Sequence, residues 1–384
     1  MRAPFIVFGA PEIAEAEIEE VVATLRSGWL GTGPRVAAFE SQFAAFKGTS
    51  PAHVAAVNSC TAALHLSLLA AGVGPGDEVI TSPLTFCATA NAILHTGAMP
   101  VLADIDPATM NIDPAQVERR ITSRTKAVLP VHFAGLPCDM DAILDIGARK
   151  RLAVIEDCAH AVEASYRGRP TGTLGDYGCF SFYATKNVTS GEGGMVLARD
   201  ADRAQFIKRM SLHGMSRDAW NRFSDHGYQH YQVAECGFKY NMMDLQAAIA
   251  MHQLKRVDAG RAIRQALWDR YQRAFQQLPL LCPAPAPPHV VHARHLYTVR
   301  VDEQRCGVSR DRFLVRMKNL GVGVGVHYLA LPEHPYYQEH LGWTPGDTPH
   351  ASLVGRQTVS LPLSPKLTNG EVERVIEAVG LSLS

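Results

Sequence analysis

Lys186 ends the run Ser181-Phe182-Tyr183-Ala184-Thr185-Lys186 and is followed at once by Asn187-Val188-Thr189-Ser190-Gly191-Glu192-Gly193-Gly194. A lysine walled in by hydroxyls, aromatics and glycines is placed unlike a solubilising surface lysine, whose neighbours are usually charged. Lysine is one of few side chains that form a Schiff base with an aldehyde, and partial burial lowers its pKa towards the range where the neutral amine attacks. Asp157 closes the apolar run Ala153-Val154-Ile155-Glu156. An acid there is costly to bury without a partner, and a protonated ring nitrogen is such a partner. Glu156 is expected on the opposite side of the strand. Asn58-Ser59-Cys60-Thr61 leads from a strand end into a helix whose first turn is small and hydroxylic, so its free amides and dipole suit a phosphate. Ser181, inside Cys179-Phe180-Ser181-Phe182, adds a hydroxyl.

An amine for an aldehyde, an acid for a pyridinium and a seat for a phosphate together describe pyridoxal 5'-phosphate. Phe86, in Pro83-Leu84-Thr85-Phe86, has the type needed to stack on the ring, and His160 lies three residues past Asp157. Taken singly, each residue also admits a plain structural role. Asp157 could cap a loop or pair with an arginine, Asn58 to Thr61 could be an ordinary helix cap, and Phe86, His160 and His327 could be packing residues.

The elements around these residues alternate short β-branched runs with helical patterns. Strands are expected over 53–57, 78–81, 101–104, 127–132 and 152–156, and helices over 11–27, 36–46, 60–71, 86–95 and 139–150. Near-continuous apolar strands argue for a mostly parallel sheet covered by helices, with the ligand outside the carboxyl ends of the strands. That makes the class α/β: a large domain over 1–255 and a small α+β domain over 256–384. The connection is read as one long helix over about 245–277 and a proline-rich linker over 278–288. Asp244 is read as the cap or first-turn acid of that helix, and 322–328 as an element of the small domain. The loop 29–34 is read as a connector or a binding loop.

Lys plus Arg and Asp plus Glu number 37 each, so no net charge draws the chain to nucleic acid or an anionic membrane. The eight cysteines are scattered singly, without a C-x-x-C pair, and read as free thiols of a reducing cytoplasm with no metal site. No apolar run reaches membrane-spanning length, so a cytoplasmic protein is expected. The run Gly321-Val322-Gly323-Val324-Gly325-Val326 lacks the last glycine of a dinucleotide fingerprint, and no phosphate-binding G-x-x-x-x-G-K-[ST] occurs. The missing fingerprint weighs against a nicotinamide-dependent oxidoreductase.

With these residues in place, the chain resembles the DegT-type nucleotide-sugar aminotransferases, members of the aspartate aminotransferase-like fold type I. The resemblance rests on 28–34, Gly74-Pro75-Gly76-Asp77-Glu78, Glu156-Asp157-Cys158-Ala159-His160-Ala161, the lysine stretch with its glycines, and Asp244-Leu245-Gln246-Ala247-Ala248. It implies that Lys186 is the catalytic Schiff-base lysine and Asp157 the pyridinium partner. It further implies Phe86 stacking on the ring, Cys60, Thr61 and Ser181 at the phosphate, and His160 beside the ring. The family's homodimer would bring Lys239 and Asn241 to the partner's phosphate, although relatives carry asparagine at the first position and arginine or lysine at the second. Thr32, Tyr183, His327 and Tyr328 are candidates on the substrate side. Phe238-Lys239-Tyr240-Asn241 and the stretch 301–311 look most similar to enzymes that aminate C4 of a UDP-4-keto-pentose, with L-glutamate as donor. That group has tryptophan at Phe86 and histidine at Tyr183, which keeps a 4-keto-6-deoxyhexose open as substrate. Sugar dehydratases of the family have histidine in place of the lysine. Its non-catalytic regulators carry an added DNA-binding domain for which this chain leaves no room.

Overall fold

The computed structural model describes residues 4–215 and 232–384. Its centre is a seven-stranded sheet of β1 (Val54–Val57), β2 (Glu78–Thr81), β3 (Met99–Leu102), β4 (Thr125–Leu129), β5 (Ala153–Asp157), β6 (Tyr177–Ser181) and β7 (Gly194–Ala198). The spatial order is β1-β7-β6-β5-β4-β2-β3. β7 runs antiparallel to both neighbours and the other pairings are parallel. All residues of β1, β2, β6 and β7 are buried, as two-faced burial requires of a sheet covered on both sides.

Helices Cys60–Ala70 and Ala201–Ser211 cover one face, where Leu64, Leu66 and Ile207 join Val57, Ile155 and Cys179 in one cluster. The other face carries Pro34–Lys47 and Asp244–Lys255, whose Phe39, Phe43 and Ala247 pack on Phe180, Phe182 and Val188. Burying Phe43, Phe180 and Phe182 in edge-to-face contact contributes about 2 kcal/mol per ring and stiffens the strand that leads to Lys186.

A second core gathers Trp268, Tyr271 and Phe275 of helix Val257–Phe275 around the antiparallel pair β8 (Tyr297–Arg300) and β9 (Thr358–Leu361), with Val372 and Val375 of helix Asn369–Leu383. Among the described residues no helix is long and apolar enough to cross a membrane, and all eight thiols are free.

The structure corrects several readings. The helical pattern over 245–277 is two helices, broken at Arg256, whose φ of −111° and ψ of 6° leave the helical range. The segment 322–328 forms only isolated bridges, to Ile6 and Ser360. The Gly323 amide donates to Ile6 O at 2.8 Å, and a Cβ there would lie 2.9 Å from that oxygen, so the segment runs close against the N-terminal chain. Asp244 does start its helix, but its carboxylate caps another one, accepting from the amides of Gly33 (2.8 Å), Arg35 (3.1 Å) and Val36 (3.0 Å). The proline-rich stretch bridges Leu281 to Arg300, and the chain after it pairs Val290–Val291 with Ser165–Tyr166 before entering β8. This detour carries His292 and His295 into the interior.

Candidate active site

Asp157 and Ser181 end the neighbouring parallel strands β5 and β6, and Lys186 follows Ser181 in a turn closed by its amide to Tyr183 O at 2.9 Å. Phe182 and Val188 are buried and fasten both ends of the lysine loop. Lys186 keeps part of its surface open to a cavity, yet protein surrounds it closely enough that burial pushes its ammonium down to about 8, against the opposing pull of the Asp157 carboxylate. The three groups share one neighbourhood: Asp157 and Lys186 each act on the Cys60 thiol, which burial holds neutral.

The Asp157 carboxyl is almost wholly buried and is raised above the usual range, with desolvation the largest cause. Thr89 Oγ1 donates to its Oδ2 at 2.9 Å and the Ala159 amide to its Oδ1 at 3.1 Å. Thr85 in turn lies 2.9 Å from Thr89. Thr89 went unnoticed in the sequence because a threonine inside the apolar helix Cys87–His95 reads as packing. Glu156 faces the other way, as the strand period requires, and its carboxylate accepts from Gly172, Leu174 and Gly175 amides and pairs with His132 Nε2 at 3.0 Å. His132 Nδ1 accepts from the Cys138 amide. Both ring nitrogens and the carboxylate are thereby committed, so in the His132, Glu156 and Cys158 cluster only the Cys158 sulfur is left to offer a metal.

At the phosphate end, Ser59 Oγ takes the Ala62 amide at 3.1 Å, and among the described residues the amides of Cys60 and Thr61 keep no partner. β7 passes directly beneath this turn. A Cβ on Gly194 would lie 2.4 Å from Ser59 O and 2.8 Å from Cys60 N. Of the glycines after Lys186, Gly194 thus serves the close approach of β7 to the helix start. Ser181 Oγ, on the strand paired with Gly194, accepts from Tyr183 N at 3.4 Å.

His160 is buried, with its charged form strongly disfavoured by burial first and the Lys186 ammonium second. The Ala134 amide donates to Nδ1 at 3.3 Å, so the ring proton sits on Nε2, 3.1 Å from the Tyr328 hydroxyl. Tyr328 spans from there to Phe86, 6.0 Å away between ring centres. Phe86 caps helix Cys87–His95 and is 58% exposed, leaving a ring face free to cover a ligand. His327 is pushed down to about 4 by burial and by Lys186, and its Nδ1 lies 2.9 Å from Ser360 Oγ.

Other sequence candidates stand apart. Asn241 Nδ2 donates to Thr32 Oγ1 at 2.7 Å, and Thr32 donates to Met242 O, so these two bind each other. Their segment lies against the end of β1, with the Asn58 amide donating to Tyr240 O at 2.7 Å. The loop 29–34 is itself folded, since Trp29 Nε1 donates to Thr32 O over Gly33, where no Cβ would fit. Lys239 and Tyr183 are exposed. The residues the sequence missed are Thr89, Asn187 and His295. Asn187 Nδ2 donates to Glu163 Oε1 at 2.8 Å and its Oδ1 lies 2.9 Å from His295 Nδ1.

The donor set fits pyridoxal phosphate: a buried acid with no cation hydrogen-bonded to it among the described residues, a poised amine beside it, an open helix start and a half-free aromatic face. The comparisons agree. The DegT/DnrJ/EryC1/StrS aminotransferase family model matches residues 11–380. SpsC, a spore coat polysaccharide biosynthesis protein of Bacillus subtilis, is 51% identical over 98% of this chain and 97% of its own. Spr1654 of Streptococcus pneumoniae, assigned as a sugar aminotransferase and solved in PLP and PMP forms, superposes in its PLP form with a TM-score of 0.91 at 33% identity over 99% and 98% of the two chains. Helicobacter pylori PseC, an aminotransferase of pseudoaminic acid biosynthesis, superposes at 0.90 with 26% identity over 99% of each chain. This chain belongs to the DegT/DnrJ/EryC1/StrS aminotransferase family, pyridoxal phosphate-dependent enzymes of fold type I.

Proposed function

We propose that this aminotransferase moves an amino group from L-glutamate to the keto carbon, C4, of a nucleotide-linked sugar, with a UDP-4-keto-pentose as the best candidate. The observation that carries the catalytic reading is that Asp157 ends one strand and Lys186 follows the end of its neighbour in a tight turn, with burial lowering the lysine amine to about 8. Pyridoxal phosphate, when bound, supplies an aldehyde that takes up the amino group and a ring that spreads negative charge. Asp157 holds the ring nitrogen protonated, and the two donors Thr89 and Ala159 keep its carboxylate aimed. Cys60, Thr61 and Ser181 take the phosphate, Phe86 covers one ring face, and His160 stands beside the ring with its Nε2 proton. Lys186 Nζ removes the proton from the α-carbon of the donor and, in the second half, returns one to the sugar carbon. Residues 1–255 form the cofactor domain and 256–384 the smaller one.

The sugar assignment draws on the relatives' roles in polysaccharide and pseudoaminic acid biosynthesis, and on the resemblance of 238–241 and 301–311. Thr32, Tyr183, His327 and Tyr328 are assigned to the substrate side. A homodimer in the cytoplasm completes the reading, with Lys239 and Asn241 turned to the partner's phosphate. A 4-keto-6-deoxyhexose is the second acceptor, favoured by Phe86 and Tyr183 where the pentose enzymes have tryptophan and histidine.

The purified protein should show the visible absorbance of bound cofactor, and L-glutamate should bleach it. A panel of nucleotide 4-ketosugars is then added, and the true acceptor restores the absorbance. Protein that glutamate leaves unbleached, or a Lys186→Ala variant that still turns over, would overturn the reading.

A further inference from the structure

A cavity of about 270 Å³ opens beside Lys186, between the N-terminal segment at Phe8, helix Val257–Phe275 and the end of β9. Asp157, Cys60, Phe86 and Ser181 do not line it, so it lies off the cofactor-holding residues. Its polar wall next to Lys186 is made by Asn187, His295 and His327.

The tautomer of His295 follows from its neighbours. Asn187 Nδ2 spends its hydrogens on Glu163 Oε1 and on Ala293 O, at 2.8 and 3.2 Å. The Asn187 oxygen therefore faces His295 Nδ1 as an acceptor, and Nδ1 carries the proton. Among the described residues nothing hydrogen-bonds Nε2, so the neutral ring keeps a lone pair there. Glu163 also accepts from Arg264, and both side chains are buried, so a chain of fixed groups runs from helix Val257–Phe275 to the residue next to the lysine. His295 is held further by its amide to Ala134 O at 3.1 Å and by its ring against His160, 4.5 Å between centres.

A lysine that leaves its carbonyl carbon needs a polar, roomy place to put its amine. We propose that this cavity receives the released Lys186 amine, and that His295 Nε2 is the acceptor that holds it there. Asn187, Glu163 and Arg264 are positioning residues that keep the lone pair available. The charges around the lysine allow it: Arg264 is offset by Glu163 and Arg256 by Glu17, while Asp157 favours the ammonium and the three histidines His160, His295 and His327 stay neutral beside it. The proposal rests on Lys186 being the cofactor-binding lysine.

The test uses full-length enzyme in its pyridoxamine phosphate form, in which the lysine is free. Lys186 is trace-labelled with acetic anhydride across a pH series, and the labelled peptide is quantified by mass spectrometry. An acceptor for the ammonium raises the lysine pKa, so His295→Leu should move the half-point of labelling down by about one pH unit. Asn187→Ala, which frees the ring to turn and protonate Nε2, should move it the same way by less. His295→Gln, which retains an acceptor oxygen, should recover most of the loss. An unchanged or raised half-point in both His295→Leu and Asn187→Ala overturns the proposal, and circular dichroism confirms that the variants compared are folded. Borohydride trapping of pyridoxal phosphate separates the two readings: a label on Lys186 sustains the functional assignment whatever the half-points do, and its absence there overturns both.

Discussion

Replacing Lys186 by methionine should make the cofactor-free protein more stable while abolishing transamination. In the folded protein the ammonium is pushed from an ordinary 10.5 down to about 8, chiefly by burial. At about 1.36 kcal/mol for each unit, that difference is a penalty of about 3.4 kcal/mol when the group is charged. Water reaching the open side of the lysine screens part of it, leaving about 2 kcal/mol. The sign over pH follows from linkage. Below about 8 the lysine is protonated in both states and the penalty is complete. Between about 8 and 10.5 the folded protein has released the proton and the unfolded chain has not, so wild-type stability rises with pH and the gap to the variant closes. Methionine fills the same volume without a charge. Urea unfolding of both cofactor-free proteins at pH 7 and at pH 9.5, at one protein concentration, measures the difference directly. Equal midpoints at pH 7, or a gap that fails to narrow at the higher pH, would refute the account of a lysine kept reactive at the expense of stability.

Two further substitutions probe the other ends of the site. Asp157→Asn preserves shape and the Thr89 contact but removes the negative charge, so turnover should fall about 1000-fold with cofactor absorbance retained, as kinetics and spectra of the same preparation would show. Gly194→Ala forces a methyl to within 2.4 Å of Ser59 O. It should cost about 2 kcal/mol in unfolding free energy and weaken cofactor binding at least about tenfold by opening the helix start, read by calorimetry and by cofactor titration. Wild-type affinity in that variant would remove the glycine from the phosphate seat.

The α/β alternation was legible because parallel strands buried on both faces need a near-continuous apolar stretch, and 54–57, 79–80 and 153–155 supply one each. The class of chemistry was legible for a related reason: Asp157 closes one apolar run and Lys186 closes another, both are expensive there, and that expense marks them. Less was legible where the signal is geometric. The helical period over 245–277 runs on through Arg256, because side-chain pattern is blind to one residue leaving helical φ and ψ. Gly323 and Gly194 look like any glycines until the neighbouring backbone, from Ile6 or Ser59, is in place.

What the sequence determined by itself is the inventory: which strands are buried, which lysine and acid are out of place among apolar neighbours, and which helix starts with hydroxyls. These are local properties, written in types and spacing along a few residues. Tertiary structure decided what those residues meet. Thr89 comes from one strand–helix unit to aim Asp157, and Asp244 caps a helix more than two hundred positions away. His295 arrives beside Lys186 only because the chain after the proline-rich stretch returns to pair with Ser165–Tyr166. Contacts between distant segments depend on how the sheet twists and which faces pack, and no local pattern records them. The lysine is visible in the sequence, and the wall that tunes it is made by the fold.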